Sequence, residues 1–116
     1  IALTGAIIVT TPQDLAVLDV KKGADMFKKV NTRVLGIIEN MTEFICPHCH
    51  KPTKIFKGTG GDTESKRLNV QILGRIPLIP ELAESTDSGT PFVLKDGVSP
   101  ISEEFDKICE NLVKVV

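Results

Sequence analysis

Gly5-Ala6-Ile7-Ile8-Val9-Thr10-Thr11-Pro12-Gln13-Asp14 is the stretch that decides the fold class. Ala6–Val9 is a continuous apolar run, rich in β-branched residues and without polar alternation. Such a run predicts a strand buried on both faces, as in a parallel sheet covered by helices on either side. The residues that follow predict a helix start. Thr11 is the expected N-cap, Pro12 suits the first helical position, and Asp14 complements the positive end of the helix dipole. Val17, Val20, Ala24 and Phe27 then fall on one apolar face, with Asp19, Lys22 and Lys29 opposite and Asn31 as a stop.

The same unit recurs downstream. Val34–Ile38 predicts a second buried strand closing on Glu39-Asn40, and Ile72–Ile76 a third closing on Pro77. The connection from Met41 to Val70 holds Cys46 and Cys49, the stretch Gly58-Thr59-Gly60-Gly61, and a helix expected over Asp62–Leu68. Lys54-Ile55-Phe56 reads as a short strand, which sets the cysteine pair on a hairpin-like knuckle within about residues 41–60. Pro77–Glu81 reads as a loop at the sheet edge. A last helix is expected from Pro100 to about Val115, capped by Ser99. Its core face is Ile101, Phe105, Ile108, Leu112 and Val115, with Cys109 packing among them. The pattern predicts an α/β fold: a three-strand parallel sheet with helices on both faces and a cysteine-bearing knuckle insertion. So thin a sheet, in a chain that opens on Ile1, predicts a single partial domain over residues 1–116, part of something larger.

Composition excludes several classes. With 41% apolar and 25% charged residues, the 116-residue chain is globular. Fourteen Lys and Arg stand against fifteen Asp and Glu, and Trp and Tyr are absent. No basic, aromatic surface for nucleic acid is therefore expected. Apolar runs no longer than Ala6–Val9 fall far short of the ~20 residues that span a bilayer, so no membrane insertion is expected. Three cysteines are an odd count, which argues against a secreted disulfide framework and for a reducing compartment.

Cys46-Pro47-His48-Cys49-His50 carries the most specific chemistry. Two thiolates in a C-x-x-C turn converge on one metal centre, but they are half of a four-ligand set. One completion adds His48 and His50 as a structural zinc site, although His48 lies inside the turn. Another leaves two unliganded thiols in a loop. A thiol–disulfide oxidoreductase is a further alternative, because C-P-H-C also suits redox chemistry. In such proteins the first cysteine opens a helix, whereas Pro52 here interrupts any helix just begun. The last completion is a two-fold homodimer, whose two cysteine pairs supply four thiolates to zinc or a [4Fe–4S] cluster. Gly58-Thr59-Gly60-Gly61 lacks the spacing of a phosphate-binding loop and reads as a flexible loop. Asn40 is expected just beyond the carboxyl end of the second strand, where open α/β sheets bind ligands; a local Asx turn explains it equally well.

Together these residues resemble the Mrp/ApbC-type iron–sulfur cluster carriers, a branch of the MinD/ParA-like P-loop ATPases. The resembling segments are Gly5–Gln13, Lys21–Gly23, Met26–Asn31, Val34–Met41, Cys46–Cys49, Ile55-Phe56, Leu73–Leu78 and Asp87–Pro91. The resemblance covers essentially the whole chain, in order. It implies a P-loop NTPase-like fold and a cytoplasmic or mitochondrial-matrix protein. It also implies a [4Fe–4S] cluster bridging a homodimer through Cys46 and Cys49 and passed to apo iron–sulfur target proteins. ATP and Mg²⁺ are implied for the full-length protein, with Asn40 at the adenine and Pro77, Leu78, Pro80 and Glu81 beside it. The family's Gly-rich phosphate loop and its acidic magnesium residues precede the segment that resembles Ile1. The chain alone is therefore expected to hold no catalytic residue and not to hydrolyse ATP. His50 stands where the family commonly has glycine.

Overall fold

A computed structural model describes residues 1–95 and 97–116. Strand β1 (Ala6–Thr10) leads to helix α1 (Asp14–Lys29), and β2 (Val34–Ile45) to the short β3 (Pro52–Thr53). Helix α2 (Gly60–Leu68), β4 (Ile72–Leu78), α3 (Pro80–Ser88), a 3₁₀ turn (Phe92–Leu94) and α4 (Pro100–Val115) follow. β2 is the central strand, with β1 and β4 parallel to it on its two edges. Beyond Asn40, β2 continues into an extension against which β3 pairs antiparallel.

Alternation along the strands feeds a core on each face of the sheet. Ile8 and Ile37 pack with Val20 and Ala24 of α1, and Leu68 of α2 closes that side. Ile7 and Ile38 point the other way, toward Leu73, Ile76 and Ile108, joined by Phe105, Leu112 and Val115 of α4 and Leu82 of α3. Each fully buried aliphatic side chain contributes about 1.5–3 kcal/mol. The expected α/β architecture, with helices on both faces, is the one observed.

Its details differ in instructive places. β1 is unevenly buried: Ile8 and Thr10 are covered and Ile7 packs on the α4-side core, whereas Val9 is 62% exposed. The expectation of burial on both faces therefore fails at Val9; among the described residues β1 pairs with β2 along one edge. Helix α1 begins at Asp14 with Gln13 as N-cap, not at Pro12 with Thr11. Gln13 is extended, and the segment from Gly58 packs closely on the residues before it: a Cβ on Gly58 would lie 1.8 Å from the Pro12 carbonyl oxygen. That glycine-rich stretch is thus a tight contact rather than a flexible loop. α1 does stop at Asn31, which adopts φ 55° while Thr32 N–H donates to the Phe27 carbonyl at 2.8 Å.

The second strand does not close at Glu39-Asn40 but runs on to Ile45. Pro77 lies inside β4 rather than after it; among the described residues β4 pairs with β2 alone, and an edge strand tolerates a missing N–H. The segment read as the Pro77–Glu81 loop contains the start of α3, with Pro80 in its first turn and Gly89 at φ 72° after its end. α4 forms as expected. Ser99 Oγ accepts from Ser102 N–H at 3.1 Å, and Ser102 Oγ accepts from Ser99 N–H at 2.9 Å. Cys109 is exposed, against the expectation of packing, because Ile108 occupies the core-facing position next to it.

Candidate functional site

The cysteine knuckle is the tip of the β2–β3 hairpin. Phe44 pairs with Thr53 and Ile45 with Pro52, so the short strand lies two residues before the expected Lys54–Phe56. The turn sets this register. His50 N–H donates to the Cys46 carbonyl at 2.8 Å, and Cys46 N–H to the Lys51 carbonyl at 3.3 Å. Residues 46–51 hold no helix, so neither cysteine sits at a helix start. His50 closes the turn with φ 58°, the left-handed region where glycine is at ease.

Cys46 is half-buried, Cys49 is exposed, and both thiols are free. The backbone N–H groups of Cys49 and His48 point at the Cys46 sulfur, and the Cys49 thiol adds a further hydrogen bond. These hold the Cys46 thiol below its ordinary pKa. Preformed N–H donors around a sulfur favour its thiolate, the form that binds metal or attacks an electrophile. His48 and His50 are both exposed, and among the described residues no group of three or more His, Cys, Asp or Glu could hold a metal ion. The Cys₂His₂ completion is not assembled.

A cavity of about 430 Å³ opens beside Cys46, walled by Pro47, His50, Ile79, Phe92 and Ile101. A second, of about 290 Å³, lies between β2, the end of β4 and α3. Asn40, Pro77 and Leu78 line this second cavity together. Pro80 is exposed at the start of α3, and Glu81 lines the cavity beside Cys46 instead. The sequence reading missed Leu82, Thr86 and Asp87, which α3 brings to the wall. Their signal was present: Pro80 and Gly89 frame a helix between them. Asn40 is not beyond the strand but inside it, paired with Ile76. Met41 follows with φ 57°, a bulge that turns its N–H onto Asn40 Oδ1 at 2.9 Å.

Arg75 of β4 ties the carboxyl end of the sheet to α2. Its guanidinium lies 3.4 Å from the buried Glu39 and 2.5 Å from Asp62 on α2. Glu39 reaches this position because Gly61 has no side chain; a Cβ there would lie 2.2 Å from Glu39 Oε2.

The family model of NUBPL iron-transfer P-loop NTPases, within the ParA group, matches residues 1–113. This chain belongs to that family. An iron–sulfur cluster carrier protein of Methanocaldococcus jannaschii is 49% identical over 98% of this chain, which spans 39% of that relative's length. Among solved structures, a nucleotide-binding protein from Archaeoglobus fulgidus in complex with ADP aligns with a TM-score of 0.62 at 35% identity. That alignment covers 74% of this chain and 35% of the other. The cell-division ATPase MinD of Pyrococcus furiosus aligns over 97% of this chain and 44% of its own, with a TM-score of 0.71 at 25% identity. The NUBPL-type chain thus carries the MinD-like P-loop NTPase architecture, with a cysteine hairpin built onto its central strand. No helix among its described residues is long and apolar enough to cross a membrane.

Proposed function

We propose that this chain holds an iron–sulfur cluster as cargo on Cys46 and Cys49 and hands it to apo iron–sulfur proteins. The observation that carries this reading is the hairpin tip. It carries two free thiols, the exposed Cys49 and the half-buried Cys46, and backbone N–H groups favour the thiolate of Cys46. One chain offers two thiolates and a [4Fe–4S] cluster takes four, so the reading includes a two-fold homodimer with the two tips face to face. Exposure suits a carrier, since the acceptor's cysteines must reach the cargo. A zinc centre uses the same thiolates, and the test below separates the two.

The reading extends to a nucleotide. The cavity lined by Asn40, Pro77 and Leu78 would hold the base of ATP at the carboxyl ends of the strands, the usual ligand edge of an open α/β sheet. Mg²⁺ and phosphate handling belong to the whole protein, of which this chain is proposed to be the carboxyl-terminal part. The 39% share of the relative's length and the exposed apolar side chain of Val9 support the reading of this chain as part of a longer protein. A reducing compartment, the cytoplasm or the mitochondrial matrix, keeps the thiols available.

Anaerobic reconstitution with iron and sulfide should give broad absorption near about 400 nm, a thiolate–iron signature. The expected yield is about one cluster per two chains, and Cys46→Ser and Cys49→Ser should each abolish it. Full loading of either variant overturns the proposal. Tightly held zinc that iron does not displace favours the structural-zinc reading.

A further inference from the structure

Neither the cargo nor the nucleotide uses the cavity of about 430 Å³ that Cys46 helps to wall. That volume falls in the range of small-molecule sites, about 300–1,000 Å³. Ile79, Phe92 and Ile101 give it half-buried apolar walls. Two side chains of opposite charge stand in the same lining, Glu81 from the first turn of α3 and Lys95 just after the 3₁₀ turn. Among the described residues neither forms a salt bridge, with the other or elsewhere. Lys95 Nζ lies instead 5.3 Å from the centre of the Phe92 ring, a cation–π contact that keeps the ammonium at the cavity.

A thiol, a carboxylate and an ammonium thus line one apolar cavity. The complementary ligand has a sulfur, an ammonium for Glu81 and a carboxylate for Lys95, the three groups of an amino-acid or short-peptide thiol. We infer that this cavity binds such a zwitterionic thiol, and that its disulfide form caps Cys46 as a mixed disulfide. The inference rests on the cargo reading above, since a capped Cys46 has no thiolate to give to iron. In the exchange the Cys46 sulfur attacks one sulfur of the ligand's disulfide. A new S–S bond forms as the old one breaks, and the departing half leaves as a thiol with the proton that Cys46 gave up. Cys46 is oxidised and the departing half is reduced. Attack by another thiol reverses the cap, so loading would follow the redox state of the thiol pool.

The test uses the polypeptide at its native length, without iron, as the Cys49→Ser variant so that no neighbouring thiol displaces the adduct. Oxidised glutathione, whose halves carry both charges, is compared with 2-hydroxyethyl disulfide, which carries none. Mass spectrometry reads the modification rate at Cys46 and at Cys109, exposed on α4. Both disulfides meet the same sulfur, so its own reactivity cancels in their rate ratio, and the ratio at Cys109 corrects for the reagents. Cys46 should favour glutathione by about three- to tenfold over Cys109, what two exposed ion pairs supply. Glu81→Gln and Lys95→Gln should each lower that preference and together abolish it, as should high salt. Equal ratios at the two cysteines, or a preference that neither substitution lowers, overturns the ligand and leaves the cargo reading standing. If the preference holds while the Cys46→Ser protein loads a full cluster, the ligand stands and its control of loading is overturned with the cargo reading.

Discussion

Between Val34 and Glu39, β2 runs parallel to β1, with β4 on its other edge from Ile37 onward, and Leu35, Gly36, Ile37 and Glu39 are buried. From Thr42 to Ile45 the same strand is only half-buried, and it leads into the turn with the half-buried Cys46 and the exposed Cys49. Met41 marks the change, with its left-handed backbone and the irregular register that follows Asn40. The first half is paired along both edges from Ile37 onward and sends Ile37 and Ile38 into the two cores, which makes it a scaffold. The second half has few apolar contacts to lose and projects beyond them. One strand thus carries a rigid scaffold and an accessible chemical tip, and the proposed nucleotide base lies where they join.

Ile37→Ala is the strongest way to test this division. Ile37 is fully buried in the α1-side core, and its truncation should cost about 2–5 kcal/mol in denaturant unfolding. The reactivity of Cys46 in the still-folded variant should change little. A loss below about 1 kcal/mol would mean that the first half of β2 is not the scaffold described here.

Cys46 reactivity probes the tip directly. Because its folded-state pKa is lowered, its thiolate persists at pH values where an ordinary thiol is protonated. Near pH 7, mass-resolved alkylation by iodoacetamide should therefore modify Cys46 several-fold faster than the exposed helix residue Cys109. Its rate should fall only when the pH drops through that lowered pKa. Equal rates, with parallel pH profiles, would remove the case for a thiolate prepared by the turn.

His50→Gly should have the smallest effect and the opposite sign. A side chain at φ 58° costs about 1 kcal/mol relative to glycine. The variant should gain up to that amount in unfolding free energy, less the entropy that glycine adds to the unfolded chain. A clear loss of stability would show that the His50 side chain contributes something beyond closing the turn.

The α/β class was legible from Ala6–Val9, Val34–Ile38 and Ile72–Ile76, because short apolar stretches rich in Ile and Val, without polar alternation over most of their length, suit a covered parallel sheet. α4 was legible end to end, since Ser99, Pro100 and a regular apolar stripe act locally. The cysteine hairpin was legible as a motif, although its short strand formed at Pro52–Thr53 because the turn at Cys46–Lys51 sets the pairing. What failed was set by distant partners. α1 starts late beside the close contact of Gly58 with Pro12, and the extension of β2 past Asn40 depends on pairing with β3 and Leu78. The exposure of Val9 depends on what packs over that part of the sheet face, where Ile7 is covered and Val9 is not.

The amino-acid sequence by itself determined the layered class, the capped last helix and the two thiols in one turn, because each follows from periodicity or chemistry within a few residues. Only the tertiary structure decided which side chains share a cavity. Asn40, Pro77 and Asp87 lie on three different elements, and they meet because β4 pairs beside β2 and α3 folds back over the ends of both strands. That meeting depends on contacts between residues far apart in the chain, and no local pattern encodes it.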